Sequence, residues 1–203
     1  MPYLYSISSD VHNEIKIKRS RFIAHLHYCE TLISAKEFIT EISKEYHTAN
    51  HNCWAYIVGN KAENEHCSDA GEPSGSAGKP MLNALKKHQM TNIVAVVTRY
   101  FGGVKLGIRG LIDAYALAVD EAISLQTLQK QVNYEKYLIT APYEYIEKLK
   151  YDLNEFQAEI SQIEYGADVE LIAVIEESEV EILKGYLQEM TAKKKITYKY
   201  ISL

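Results

Sequence analysis

The sequence predicts an α+β protein of two domains, and three observations support this prediction. The chain has 203 residues, which is enough for two small domains with separate cores. Short apolar stretches typical of strands are separated by stretches with helical periodicity. A polar segment at residues 128–133 divides the chain into a first domain, residues 1–130, and a more compact second domain, residues 131–203.

The early elements of the first domain follow from alternation and periodicity. Apolar and polar residues partly alternate in the stretches expected to be strands. The stretch expected to be a helix has Ile39 and Ile42 on one face and charged residues on the other. Strands are expected at residues 4–7, 14–18, 22–28 and 54–58, and a helix at residues 35–46. Residues 61–66 are polar and are interpreted as a connection.

Two glycine-rich segments follow, and each leads into a predicted helix. The first is S-D-A-G-E-P-S-G-S-A-G-K-P at residues 68–80, with Pro80 as the first helical residue. The second is T-R-Y-F-G-G-V-K-L-G-I-R-G at residues 98–110. It follows the β-branched run 93–97, typical of a strand buried on both faces, and precedes a helix whose apolar positions recur from Leu111.

The second domain is predicted to have the element order β-α-β-β-α-β, which is the ferredoxin-like arrangement. Four stretches have strand character, and two longer ones have helical periodicity. The strands are expected at residues 137–141, 158–165, 169–175 and 196–201, and the helices at residues 144–156 and 179–190.

The charge is divided unevenly between the two domains. The first 130 residues carry 14 basic and 13 acidic side chains, whereas the remainder carries 8 basic and 14 acidic ones. The overall net charge of −5 argues against indiscriminate coating of nucleic acid. Any contact with a polyanion is therefore expected to be local and to lie in the first domain.

Several features predict a cytoplasmic protein. The N-terminal residues lack a secretory pattern, and the longest apolar run, residues 93–97, is too short to span a bilayer. The cysteines Cys29, Cys53 and Cys67 are odd in number and have no repeated CxxC spacing, which is typical of reduced thiols. We expect no contact with a membrane.

The first glycine-rich segment has the parts of an anion-binding turn. Ser74, Ser76, Gly78 and Lys79 supply hydroxyls, free amides and an ammonium group ahead of a helix. A P-loop is excluded, because prolines occupy both its first glycine position and its Ser/Thr position. The alternative is that Ser76 only caps the helix and the glycines only form a tight turn.

The second segment supplies basic groups, Arg99, Lys105 and Arg109, around Gly102 and Gly103. Arg99 leaves a strand predicted to be buried, so its charge needs a partner. That partner could be a phosphate or an internal acid, for which Asp69 and Glu72 are the candidates.

Other sites receive less support. Arg109 could pair with Asp113, four residues further along the helix. The spacing of His51, Cys53, His66 and Cys67 does not match a structural zinc site. The chain contains neither G-x-S-x-G nor H-E-x-x-H. We therefore predict no metal, no cofactor and no catalytic residue.

Four ordered motifs resemble the IMPACT (YigZ-type) family. They are K-R-S-R-F-I-A at residues 18–24, A-N-H-N-C-W-A at residues 49–55, and the two glycine-rich segments. The resemblance implies that residues 1–130 adopt the fold of second domains in some ribosomal proteins and translational GTPases. It also implies a ferredoxin-like second domain similar to one in elongation factor G. No established enzyme activity is implied, only a general link to translation or RNA.

The sequence departs from the family pattern at three positions. Ala70 replaces an acid before Gly71, Arg109 replaces a glycine, and Asp113 replaces an arginine. One basic charge has thereby moved about one turn towards the start of the helix. The change could preserve an anion site in altered form or convert part of it into an internal ion pair.

We therefore predict a non-enzymatic protein that binds RNA or a ribosome-associated partner and regulates translation. Asp69 and Glu72 would orient the basic groups, and the acidic second domain could exclude non-specific polyanions or bind a protein. The predicted anion-binding residues are Ser74, Ser76, Lys79, Arg99, Lys105 and Arg109. One alternative is a phosphotransferase that holds a nucleotide in the Gly/Ser-rich turn. The other is a protein-interaction module in which the turns serve only as structure.

Overall fold

The computed structural model describes residues 3–201, which divide into two compact units, residues 3–131 and 132–201. Within these residues the chain forms three antiparallel β-sheets and five α-helices. Residues 1, 2, 202 and 203, which the predicted domains include, lie outside the described residues. No helix in the described part of the chain has both the length and the apolar character needed to cross a membrane.

The first unit has a five-stranded sheet and a separate two-stranded one. Its elements are β1 (Leu4–Ile7), β2 (Val11–Ile17), β3 (Ser20–Tyr28), α1 (Leu32–Glu45), β4 (His51–Val58), β5 (Asn64–Ser68), α2 (Gly78–Lys87), β6 (Ile93–Tyr100), α3 (Gly107–Ser124) and β7 (Leu128–Gln131). The large sheet has the order β2-β3-β6-β4-β5, and β1 pairs with β7.

The central strand β6 is covered on both faces of the large sheet. Ala95 and Val97 belong to the main core, which includes residues of α2 and α3. Val94 and Val96 belong to a second cluster, to which α1 contributes Phe38. The prediction of a strand buried on both faces is thus confirmed, and the cause is that helices lie on the two sides of an antiparallel sheet.

The second unit has the element order β-α-β-β-α-β that the sequence predicts. Its elements are β8 (Tyr134–Ala141), a short 3-10 turn (Tyr143–Tyr145), α4 (Ile146–Glu155), β9 (Glu159–Tyr165), β10 (Val169–Glu176), α5 (Val180–Ala192) and β11 (Thr197–Ile201). The sheet has the order β11-β8-β10-β9. Leu149 of α4 and Leu183 of α5 are fully buried in one core with Ile139 and Leu171 of the strands.

Two strands were not predicted. β5 lies in the polar stretch interpreted as a connection, because it is an edge strand with mostly exposed side chains and no apolar alternation. β7 lies in the segment interpreted as a domain joint, where Leu128 contacts the core and the backbone pairs with β1. In both cases long-range backbone pairing decides the structure, and local sequence does not encode it.

Candidate functional site

The two glycine-rich segments meet at the end of the five-stranded sheet where β3 and β4 begin and β5 and β6 end. We call this row of strand ends, which is distinct from the edge strands, the sheet edge. β6 ends at Tyr100, which lies opposite Arg21 near the start of β3. On its other side, Arg99 lies opposite His51 at the start of β4. β5 ends at Ser68, which pairs with β4 at Trp54. The β2–β3 turn and the loops leading into α2 and α3 therefore all lie at this edge.

Asp69 binds the amide groups of the first glycine-rich segment. Its Oδ1 accepts hydrogen bonds from the N–H groups of Ala77 and Gly78 at 2.9 Å each. Its Oδ2 accepts a third from Gly75 N–H at 2.8 Å. An internal anion thus lies at the start of α2, and the amides of Gly75, Ala77 and Gly78 are not free for an external phosphate. Asp69 acts on these amides rather than orienting basic side chains.

The carboxylate of Asp69 is expected to stabilise the first unit by about 1–2 kcal/mol, as strong helix caps do. Burial is the largest influence on its pKa and opposes ionisation, but the three amide hydrogen bonds together outweigh it and lower the pKa below 3.8. Asp69→Asn removes the charge and replaces one accepting oxygen by an NH2 group, which cannot accept from an amide. We expect it to lower the free energy of unfolding by about 1 kcal/mol at pH 7, measured by urea denaturation.

The same variant has a defined pH dependence. Because the pKa of Asp69 is lower in the folded state, its stabilisation is present above the unfolded pKa and is lost as pH falls through the folded pKa. The difference between wild type and Asp69→Asn should therefore shrink below about pH 4. Asp113→Asn, at an exposed carboxylate, should change stability by less than about 0.5 kcal/mol. A difference that grows in acid would contradict this role of Asp69.

Glu72 and Arg99 form a buried ion pair that joins the two segments. Arg99 Nη1 donates to Glu72 Oε1 at 2.5 Å, and the two side chains are only 7% and 3% exposed. Tyr115 of α3 donates its hydroxyl to the same oxygen at 2.8 Å. The Arg99 guanidinium also lies over the rings of Phe22 and Phe101, 5.4 and 5.5 Å from their centroids. This cluster links β6, the first glycine-rich segment and α3.

The environment of this pair is largely closed to water. Burial, with Glu72 close by, raises the pKa of the Tyr115 hydroxyl, and burial raises the pKa of the Cys53 thiol to about 12. Both groups therefore stay protonated at neutral pH. Arg99 pairs with an internal acid, Glu72, which is one of the two kinds of partner that the sequence allows. In this conformation its guanidinium is not exposed to a phosphate.

The other predicted cations are exposed. Lys79 lies in the first turn of α2, Lys105 lies in the loop before α3, and Arg109 lies in the first turn of α3. Within residues 3–201 none of the three makes an ion pair or a side-chain hydrogen bond, and the possible pair of Arg109 with Asp113 is not formed. These charges are free to meet an external anion.

The two serines differ in exposure. Ser74 is exposed, whereas Ser76 is fully buried and donates its hydroxyl to the carbonyl oxygen of Pro73 at 2.6 Å. The backbone N–H of Ser76 also bonds to that carbonyl oxygen. Ser76 therefore closes the turn, and only Ser74 presents a hydroxyl to solvent. The alternative in which Ser76 caps α2 is not observed, because its hydroxyl bonds to Pro73 and not to an amide of the helix.

A basic hairpin turn lies against the second glycine-rich segment, and sequence reasoning did not include it in the site. Lys18 and Arg19 link β2 to β3 with φ of 46° and 69°. A Cβ added at Gly102 would lie 2.0 Å from the carbonyl oxygen of Arg19, so only glycine fits there. The turn is further held by Ser20, whose hydroxyl accepts the Gly102 N–H at 3.2 Å. Lys18 and Arg19 are exposed.

Gly103 has a different role from Gly102. Its φ is +82°, in the left-handed region, but a Cβ there would have no neighbour within 4 Å. Gly103 therefore turns the chain, whereas Gly102 allows close contact between two backbones.

The sequence does contain a signal for the basic β2–β3 turn, because Lys18 and Arg19 are adjacent, at the end of one predicted strand and before the next. The position of this turn beside Gly102, however, depends on the register of β3 with β6.

The histidine and cysteine candidates do not gather into a cluster. In the described part of the chain, no three His, Cys, Asp or Glu side chains are placed to hold a metal ion. His51 Nδ1 lies 3.0 Å from the carbonyl oxygen of Ala70, and its Nε2 lies 3.9 Å from Glu72 Oε2. Cys29 and Cys53 are buried thiols, and Cys67 is partly buried. His51 helps to hold the loop before α2.

These features define a class: a two-unit protein of mixed helices and antiparallel sheets whose first unit has a buried ion pair beneath an exposed basic edge. The family model of the Impact N-terminal domain matches residues 18–123, and that of a domain of unknown function (DUF1949) matches residues 139–192. The chain belongs to the IMPACT family.

Relatives in bacteria span most of the chain. The IMPACT family member YvyE of Bacillus subtilis is 38% identical over 187 residues, which are 92% of this chain and 86% of that protein. The IMPACT family member YigZ of Escherichia coli is 35% identical over 156 residues, 76% of each chain. A crystal structure described as that of a hypothetical protein is similar over 100% of this chain and 98% of its own, with a TM-score of 0.65 and 29% identity.

Proposed function

We propose that this protein binds the phosphate backbone of RNA at the edge of its five-stranded sheet and acts in the regulation of translation in the cytoplasm. One observation carries the proposal: within residues 3–201, four exposed cations that form no ion pair with an acidic side chain lie on the β2–β3 turn and around the start of α3. They are Lys18, Arg19, Lys105 and Arg109. Membership of the IMPACT family fits a translation-related regulatory role.

The start of α3 favours an anion more than the start of α2 does. Asp69 already binds the Gly78 amide at the start of α2, whereas no described side chain caps α3, which begins after Leu106. The exposed N–H groups of a first helical turn carry partial positive charge. Lys105 precedes this turn and Arg109 lies within it, so both charges add to the attraction of the helix start for an anion. The proposal therefore rests on the second glycine-rich segment more than on the first.

The two units have different parts in the proposal. The first unit, which we propose shares the fold of second domains in ribosomal proteins and translational GTPases, contacts RNA. The second unit, which we propose is ferredoxin-like, has an excess of acidic side chains, 14 against 8 basic ones from residue 131 onward. This negative charge repels polyanions such as RNA, so the second unit restricts RNA contact to the sheet edge of the first unit or binds a protein partner.

A nucleotide-using enzyme receives no support from the first glycine-rich segment. Such an enzyme would need the amides of Gly75, Ala77 and Gly78 for a phosphate, and the carboxylate of Asp69 takes all three. An interaction module that binds only protein remains the competing function, and it is an outcome of the experiment below.

The test is fluorescence anisotropy of a labelled RNA with full-length protein over a series of salt concentrations. Affinity falls as salt rises, and each phosphate contact that is lost reduces the magnitude of this slope of log K against log salt by about 0.7–0.9. We expect Lys105→Ala and Arg109→Ala each to weaken binding and to reduce the magnitude of the slope by about that amount. Lys36→Ala on α1 is the matched control, because Lys36 is also exposed but α1 covers the opposite face of the sheet, and it should leave the slope unchanged.

Two results would contradict the proposal. Absence of RNA binding at low salt would leave a protein partner as the function. Equal slopes for wild type, Lys105→Ala and Arg109→Ala would mean that RNA binds elsewhere on the protein.

A further inference from the structure

Phe101 is a large apolar side chain held at the surface immediately after β6. It is 44% exposed, and its backbone N–H donates to Asn50 Oδ1 at 2.7 Å. The guanidinium of Arg99 lies over its ring at 5.5 Å from the centroid. The buried ion pair with Glu72 fixes that guanidinium, so the ring has one supported face and remains accessible to a ligand.

The surroundings of Phe101 combine positive charge with apolar surface. The next residue, Gly102, lies against the backbone of Arg19, which brings the basic β2–β3 turn beside the ring. Lys105 follows four residues after Phe101, and Val104 and Ile108 are 38% and 62% exposed. An exposed aromatic ring therefore has a basic turn packed against the residue that follows it and a further exposed cation, Lys105, four residues later in the chain.

We propose that the RNA bound at this edge is single-stranded and that one of its unpaired bases stacks on Phe101. This inference rests on the proposed function. Every base has a π-face that can stack on an aromatic ring, but in a duplex that face is covered by neighbouring base pairs. Sites for single strands combine a positively charged path for the backbone with aromatic platforms for bases, which is the combination at Phe101.

Two contacts restrict Phe101 before a ligand binds, which lowers the entropy cost of stacking. Stacking on a mobile side chain requires that the side chain be ordered on binding. Arg99 and Asn50 already order Phe101 through its ring and its backbone. The stacked base would lie on the ring face opposite Arg99, and Lys18, Arg19 or Lys105 would contact the adjoining phosphates.

The experiment compares two labelled RNAs in fluorescence anisotropy, a single-stranded oligomer of about 12 nucleotides and a blunt duplex of the same length. Phe101→Ala should weaken binding of the single strand by about 5- to 150-fold and leave its salt slope unchanged. Phe101→Leu, which keeps an apolar group over Arg99, should be weakened similarly. Tyr151→Ala, at a 65% exposed aromatic of the second unit, is the control and should bind as wild type does.

The outcomes separate this inference from the proposed function. Wild-type affinity of Phe101→Ala for the single strand, with a reduced salt slope for Lys105→Ala, would overturn stacking and leave phosphate binding intact. Recovery of affinity in Phe101→Leu, or equal wild-type affinity for duplex and single strand, would also overturn it. If wild type binds neither RNA, the proposed function and the inference both fail.

Discussion

Glu72→Gln is expected to lower the free energy of unfolding of the first unit by about 3 kcal/mol. The substitution keeps the size of the side chain but removes its charge, which leaves the Arg99 guanidinium buried without a counter-ion. Arg99 already has one buried nitrogen, Nε, without a hydrogen-bond partner in the described part of the chain, so little can compensate. Urea denaturation followed by fluorescence of the single tryptophan, Trp54 in β4, reports on this unit.

An exposed pair of similar geometry is the control. Arg21 Nη2 lies 2.7 Å from Glu14 Oε2, but the two side chains are 48% and 32% exposed. Glu14→Gln should therefore cost less than about 1 kcal/mol. The double variant Glu72→Gln with Arg99→Met should recover part of the stability, because it removes the uncompensated charge. If Glu14→Gln and Glu72→Gln lowered the free energy of unfolding equally, burial would not be the reason for the cost of breaking the Glu72–Arg99 pair.

Gly102→Ala is expected to destabilise the first unit by about 2–3 kcal/mol, the cost of overpacking between backbones. The new Cβ would meet the carbonyl oxygen and carbon of Arg19 at 2.0 and 2.1 Å, so the β2–β3 turn or the loop after β6 must move. The same movement separates the basic turn from Phe101, and RNA affinity should fall together with stability. Denaturation and anisotropy on the same preparation measure both effects.

Gly103→Ala is the matched control for this variant. It forces alanine into a left-handed conformation, which costs about 1 kcal/mol, but the added Cβ has no neighbour within 4 Å. The β2–β3 turn is not displaced, so RNA affinity should change less than in Gly102→Ala. A larger loss of affinity in Gly103→Ala would show that the conformation of the loop, and not its contact with Arg19, sets the basic surface.

Sequence reasoning succeeded where the signal is local. The β-branched run of β6 and the periodic apolar positions of α3 predicted their elements, and the element order of the second unit was also predicted. The edge strand β5 could not be predicted, because its exposed side chains show no alternation and its structure depends on pairing with β4.

Of the candidate site, too, the sequence predicted only the locally encoded parts. The sequence identified both glycine-rich turns and named Glu72 as a possible partner of Arg99, which is the observed pair. It could not show that Asp69 takes three amides, since that contact spans up to nine residues of irregular chain. Nor could it place Lys18 and Arg19 beside Gly102, which depends on the pairing of β3 with β6, far apart in sequence.

The most direct test of RNA binding at the sheet edge is photo-crosslinking with RNA that contains a photoreactive nucleotide, followed by mass spectrometry of tryptic peptides. Trypsin cleaves after Arg99 and after Lys105, so residues 100–105 form one short peptide that contains Phe101. We expect this peptide to carry the dominant crosslink in wild type and to lose it in Phe101→Ala. Crosslinks confined to residues 132–201 would contradict the proposed site.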